Sequence, residues 1–162
     1  MEGEGRLAMR CLPGDIDHYG HMNNARYTMI GDVGRLDLFS RSGIWDLHKS
    51  RGWGPMMDGS EIAYLREIRL WKRFDLLTSM DYWTDRHFVV RHRFVIDGDK
   101  MATLLLAAVG MYDFRNRRFL AIPEVLDALG LNPVPPREPA PEELRFLESH
   151  SALRAFGKKL GG

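Results

Sequence analysis

The spacing of apolar residues changes along the chain, and that change divides it into elements. Arg6–Leu12 is a short apolar run stopped by Pro13-Gly14, which predicts a first strand. From Asn23 to about Ser42 the spacing is helical, and Gly43 stands where a C-terminal cap glycine belongs. Tyr27, Gly31, Gly34 and Leu38 fall on one stripe of this helix, while Met29, Val33 and Leu36 form a second. Two apolar stripes predict cover on both sides. A mid-helix glycine costs about 0.5–1 kcal/mol relative to alanine, so the glycine stripe predicts another element in close approach.

Beyond Gly52 the period becomes two. Ile62, Tyr64, Ile68 and Leu70 alternate with Glu61, Glu67 and Arg69. Phe74, Leu76, Met80 and Tyr82 alternate with Asp75, Ser79 and Asp81. Phe88, Val90, Phe94 and Ile96 alternate with Arg91 and Arg93, and Asp97-Gly98 then makes a hairpin turn. Met101–Tyr112 is apolar at both parities, which predicts a central strand covered on both faces. The fold class is α+β, an antiparallel sheet wrapped around a long central helix. Pro123–Leu129 reads as a short helix. Pro133–Pro141 holds five prolines and reads as a stiff linker. Glu142–Leu160 reads as a C-terminal helix with Leu144, Leu147 and Leu153 as docking residues. Residues 1–132 are expected to form the domain, with 133–162 a linker and helix packed upon it.

Composition narrows the function classes. The chain has 162 residues, 44% hydrophobic and 28% charged, enough for one domain with its own core. Its 23 basic and 22 acidic residues nearly cancel, which argues against a nucleic-acid binder. Arg115, Arg117 and Arg118 read as a solvated loop. Cys11 is the single cysteine, so no internal disulfide forms, and a reducing cytoplasmic setting is expected. No apolar run approaches the ~20 residues of a membrane span, and the N-terminus lacks a signal-peptide core.

The chemistry concentrates in Gly14–Tyr27, which carries Asp15, Asp17, His18, His21, Asn23 and Asn24 just before a helix N-terminus. Such a terminus presents unpaired amides and partial positive charge, suited to an oxyanion. A nearby carboxylate can attack a carbonyl or deprotonate water. Asn23 or Asn24 is the expected N-cap. Asp15 reads as a turn cap, His18 as solvated and Tyr27 as core. His21 is open between a structural and a catalytic role. No metal is expected, because the candidate ligands come from one short loop without cysteine partners or a His-x-x-x-His pair. His87 and His92 have opposite parity and point to opposite faces. No serine elbow, phosphate loop or dinucleotide glycine fingerprint is present, and no cofactor is expected.

The string Asp17-x-x-Gly20-His21-Met22-Asn23-Asn24-Ala25-Arg26-Tyr27 resembles the signature of hotdog-fold acyl thioesterases. The chain is most similar to the group called thioesterase superfamily member six. Trp53-Gly54-Pro55, Tyr64-Leu65-Arg66, Lys72-Arg73-Phe74, Glu143-Leu144-Arg145 and Glu148-Ser149-His150 extend the likeness. The resemblance implies a hotdog fold, a homodimer or dimer of dimers, and active sites where subunits meet. It implies an acyl-CoA or acyl-carrier-protein substrate. It places Asp17 at the catalytic carboxylate of hydroxybenzoyl-CoA-type thioesterases, as base or nucleophile. His21 and Asn24 would then orient water or substrate, with backbone amides near Met22, Asn23 and Asn24 receiving the oxyanion. Trp53, Gly54, Met56 and Met57 are candidates for an acyl pocket or for interface packing. Tyr19 stands where the related plant acyl-carrier-protein enzymes have asparagine. The alternatives are a non-hydrolytic acyl or lipid binder and a hotdog hydratase or dehydratase.

Overall fold

The computed structural model describes residues 3–135 and 137–160. Strand β1 (Gly5–Arg10) is followed by a loop, the long helix α1 (Asn24–Arg41) and the short helix α2 (Ile44–Arg51). Then come β2 (Trp53–Tyr64), β3 (Arg73–Trp83), β4 (Phe88–Ile96), β5 (Lys100–Asp113), β6 (Arg118–Leu120), α3 (Ile122–Ala128) and α4 (Pro141–Leu160). The sheet runs β1-β3-β4-β5-β2 and is antiparallel, with β6 pairing β5 beyond the end of β4. Pro55 lacks an amide donor and sits in an edge strand, where that lack is tolerated.

The sheet curls around α1, and the glycine stripe shows how. Tyr27, Gly31, Gly34 and Leu38 are all buried. A Cβ on Gly34 would strike Thr78 Oγ1 and come within 2.9 Å of Leu76 and 3.2 Å of His92. Side chains of β3 and β4 therefore reach the helix backbone itself. His92 lies there with no exposed surface, 2.9 Å from Thr78 Oγ1 and 3.0 Å from the guanidinium of buried Arg35. Arginine can only donate, so His92 Nε2 accepts, and the neutral ring carries its proton on Nδ1 toward Thr78. Burial, with Arg35 beside it, pushes the His92 pKa down to about 3.

The second stripe of α1 differs from expectation: Met29, Val33 and Leu36 are exposed on the single chain. One element is not read from the sequence, and two further readings are corrected. Residues 44–51 form α2, entered and left through glycines in the left-handed region, Gly43 at φ 79° and Gly52 at φ 76°. Such short amphipathic turns carry too few periods to stand out in sequence. The alternation at Ile68 and Leu70 is not strand: β2 ends at Tyr64, and Ile68 is buried from a connecting segment. In β3 the register shifts between Ser79 and Tyr82, so Trp83 rather than Tyr82 is buried.

On the outer face, β5 is covered as its double-sided apolarity predicts. Leu106 and Ala108 pack against Phe146 of α4, with Leu147 partly buried beside them. Leu144 and Leu153, expected to dock, are exposed. Glu143 takes that place instead, fully buried, bonded to Arg91 at 2.9 Å and to Arg137 at 2.7 and 2.8 Å. Burial works against its ionisation, but the two arginines and the Ala140 amide outweigh it and hold the carboxyl below its ordinary range. Of the proline-rich segment, Pro136 lies outside the described residues.

Candidate functional site

The loop before α1 is a closed frame. Pro13–Asp15 makes one tight turn, capped by Asp15, whose Oδ2 accepts from the Leu12 amide at 2.8 Å. Asp15 Oδ1 accepts from Arg26 Nε at 2.7 Å, pinning the turn to the first turn of α1. Asp15 is buried by this and is a structural cap, as its position suggests. The Asp17 amide donates to the His21 carbonyl at 2.9 Å and the Gly20 amide to the Asp17 carbonyl at 3.1 Å. Gly20 sits at φ 82°, which closes this reversal. His18 is exposed. Cys11 is buried, and burial pushes its thiol up, so it is a core thiol rather than a nucleophile.

Asp17 is half-buried, and its Oδ1 accepts from the Tyr19 amide at 2.9 Å. The second oxygen has no partner among the described residues. His21 Nε2 stands 3.0 Å from Glu67 Oε2, so the carboxylate fixes the imidazole's orientation. Asp17, His21, Met22, Asn24 and Tyr27 line one side of a cleft of about 250 Å³; Tyr64, Leu65, Arg66 and Glu67 line the other. Burial pushes the Tyr27 and Tyr64 hydroxyls above the usual phenol range, so both stay neutral near pH 7.

The amides expected to receive an oxyanion are mostly committed elsewhere. Met22 donates to the Ile68 carbonyl at 2.7 Å and Asn23 to the Asp15 carbonyl at 2.8 Å. Asn23 is the N-cap: its side chain accepts from the Ala25 amide at 2.9 Å, and its carbonyl takes the Arg26 amide. The Asn24 amide alone of this group has no partner among the described residues.

Trp53, Gly54 and Met57 do not line this cleft. They lie toward the opposite end of β2 from Tyr64, with Trp53 some 35 Å from it at ~3.3 Å per residue. Trp53 is buried, donating to Asp113 at 3.2 Å, and Gly54 packs under Phe114 and His48. Met57 lines a separate cleft of about 300 Å³ with Asp32, Arg35, Leu36, Trp45 and Pro55. Sequence reasoning missed Glu67 and Tyr64 as site residues. Both belong to the stretch leading out of β2, and only the Tyr64-Leu65-Arg66 resemblance pointed to it.

A curled antiparallel sheet around one helix, with this cleft at the helix start, defines the hotdog fold. The chain belongs to the thioesterase-like superfamily, whose family model matches residues 11–129. It is 39% identical over 95 residues to Protein THEM6 of Xenopus laevis, covering 59% of this chain and 46% of that protein. The chain thus spans about half the length of this curated relative. Its fold matches the probable thioesterase YbaW of Escherichia coli with a TM-score of 0.71 at 16% identity, covering 76% of this chain and 94% of that one. SAV2348 of Staphylococcus aureus, solved in complex with CoA, matches at 0.71 and 16% identity over 89% and 93%. Among the described residues no helix is long and apolar enough to cross a membrane.

Proposed function

We propose that this chain hydrolyses acyl thioesters, acyl-CoA foremost, at the cleft before α1. The observation that carries the reading is that Asp17, His21 and Asn24, whose amide has no partner among the described residues, line one cleft. The uncommitted oxygen of Asp17 takes a proton from the water that attacks the thioester carbon. Alternatively it attacks that carbon directly, and water then cleaves the acyl-aspartate. In either route the sulfur leaves as thiolate and is protonated, while the Asn24 amide donates to the carbonyl oxygen as it gains charge. Glu67 holds His21 so that its other nitrogen can order water or substrate. Family membership and the CoA-bound fold neighbour support a CoA-type substrate.

We propose that two chains pair across the bare stripe Met29, Val33 and Leu36 together with Met56 and Met57 of β2, all exposed here. Residues 1–132 are proposed as the domain and 133–162 as its strap, in a cytoplasmic protein. Purified protein should release free thiol from a panel of acyl-CoAs. Asp17→Asn should slow that release about 10²–10⁴-fold, the usual contribution of a positioned acid or base. Equal rates would remove Asp17 from the reaction. Val33→Asp should shift the sedimenting species from dimer to monomer, and a wild-type monomer would refute the pairing.

A further inference from the structure

The polar chemistry on the outer face of the sheet plays no part in the reaction above. β2 bulges between Met57 and Gly59, and the bulge turns Asp58 toward the segment that opens β4 and toward α4. Asp58 Oδ2 lies 2.6 Å from His87 Nε2 and 3.0 Å from His150 Nε2. Arg154 holds the other oxygen, Oδ1. The three side chains are largely buried, 16% exposed for Asp58, 14% for His87 and 10% for His150. One ligand atom from each falls within 4.8 Å of the other two. His150 lies so close over β2 that any Cβ on Gly59 would overlap its ring, within 2.7 Å of Cε1. Beside the cluster opens a pocket of about 290 Å³, lined by Asp85, Arg86, His87, Phe119 and Arg154.

We propose that Asp58, His87 and His150 form a site for one divalent transition-metal ion of the zinc class. His87 Nε2, His150 Nε2 and Asp58 Oδ2 supply three ligands, and a water from the adjoining pocket supplies the fourth. Two imidazoles and one carboxylate are ligands that such ions take in tetrahedral sites. Each imidazole would bind through Nε2 and carry its ring proton on Nδ1. Arg154, on the far oxygen, is the outer partner that orients a ligating carboxylate. Because Arg154 already offsets the charge of Asp58, the attraction must come from nitrogen donors. The site therefore selects zinc, cobalt or nickel over magnesium and calcium, which need several oxygens. The ligands come from β2, the segment just before β4 and α4, so the ion would clamp α4 to the sheet.

The test is titration of chelator-stripped full chain with Zn²⁺ and Co²⁺, beside Mg²⁺ and Ca²⁺. The expected result is one Zn²⁺ per chain, a rise of several degrees in Tm, and a visible tetrahedral Co²⁺ band. Affinity should fall at least about 100-fold in His87→Ala and in His150→Gln, beyond the range for losing an outer partner. It should be unchanged in His18→Ala. Should either variant fail to fold, the wild-type Co²⁺ spectrum decides alone. No saturable binding, no tetrahedral band, equal affinity in the ligand variants, or an equal response to Mg²⁺ or Ca²⁺ would overturn the site and leave only a hydrogen-bonded latch.

Discussion

The two faces of the sheet bury polar groups by different means. On the inner face His92 is neutral, tucked between Thr78 and Arg35 beneath the glycine stripe of α1. On the outer face Glu143 is charged, held by Arg91 and Arg137 across 52 and 6 residues of sequence. The inner face is a core shaped around one helix, with its histidine made neutral to fit beside the guanidinium of buried Arg35. The outer face is a strap fastened by ion pairs between segments remote in the chain. The first arrangement follows from local periodicity; the second depends on which distant side chains meet.

That difference can be broken from either side. The largest stability effect belongs to the outer face. Removing the Glu143 carboxylate in Glu143→Ala leaves Arg91 with only Glu142 and Arg137 with only Asp81, and should cost about 3 kcal/mol, the low end for breaking a buried pair, read by urea denaturation. A loss under 1 kcal/mol would mean that the pairs contribute little to holding α4. On the inner face, Gly34→Ala should cost about 1–3 kcal/mol, because the strain against Thr78, Leu76 and His92 exceeds the gain in helix propensity. A stabilised variant would show that β3 and β4 give way.

The pH dependence sharpens the contrast. His92 is depressed to about 3 in the fold against about 6.5 unfolded, so the unfolded chain binds the extra proton between those values. Its contribution is complete above pH 6.5 and is lost as pH falls toward 3, on the order of 2 kcal/mol gone by pH 5. Glu143 and Asp81 are also depressed, Asp81 chiefly by its bond to Arg137, but their loss begins only as pH falls below the ordinary carboxylate range. Thermal melts of His92→Asn should therefore lose the slope between pH 6.5 and 5 while keeping the steeper acid fall. A slope unchanged in the variant would assign it elsewhere.

What the sequence made legible follows the same division. The sheet, the glycine face of the helix and the double-sided strand β5 are local patterns, and their residues pack as their spacing requires except where the chain leaves the sheet after Tyr64 or bulges before Tyr82. The loop Gly14–Tyr27 was legible because its carboxylates, imidazoles and cap asparagine are neighbours in the chain. Its details were less so. Which amides stay free depends on partners as distant as Ile68, and the orientation of His21 depends on Glu67. Asp58, His87 and His150 belong to three separate segments, and nothing in their spacing announces a meeting. The second stripe on α1 reads as apolar from its spacing, and spacing alone does not say that it is exposed on the single chain.

The central claim is that Asp17 does chemistry in the cleft rather than merely closing a turn. The direct measurement sets binding of a non-hydrolysable acyl-CoA thioether beside thiol release from the matching thioester, in wild type and in Asp17→Asn. The account predicts similar Kd values and melting temperatures for the two proteins, with turnover lost by at least about 10²-fold in the variant. Undiminished turnover with intact binding would contradict it.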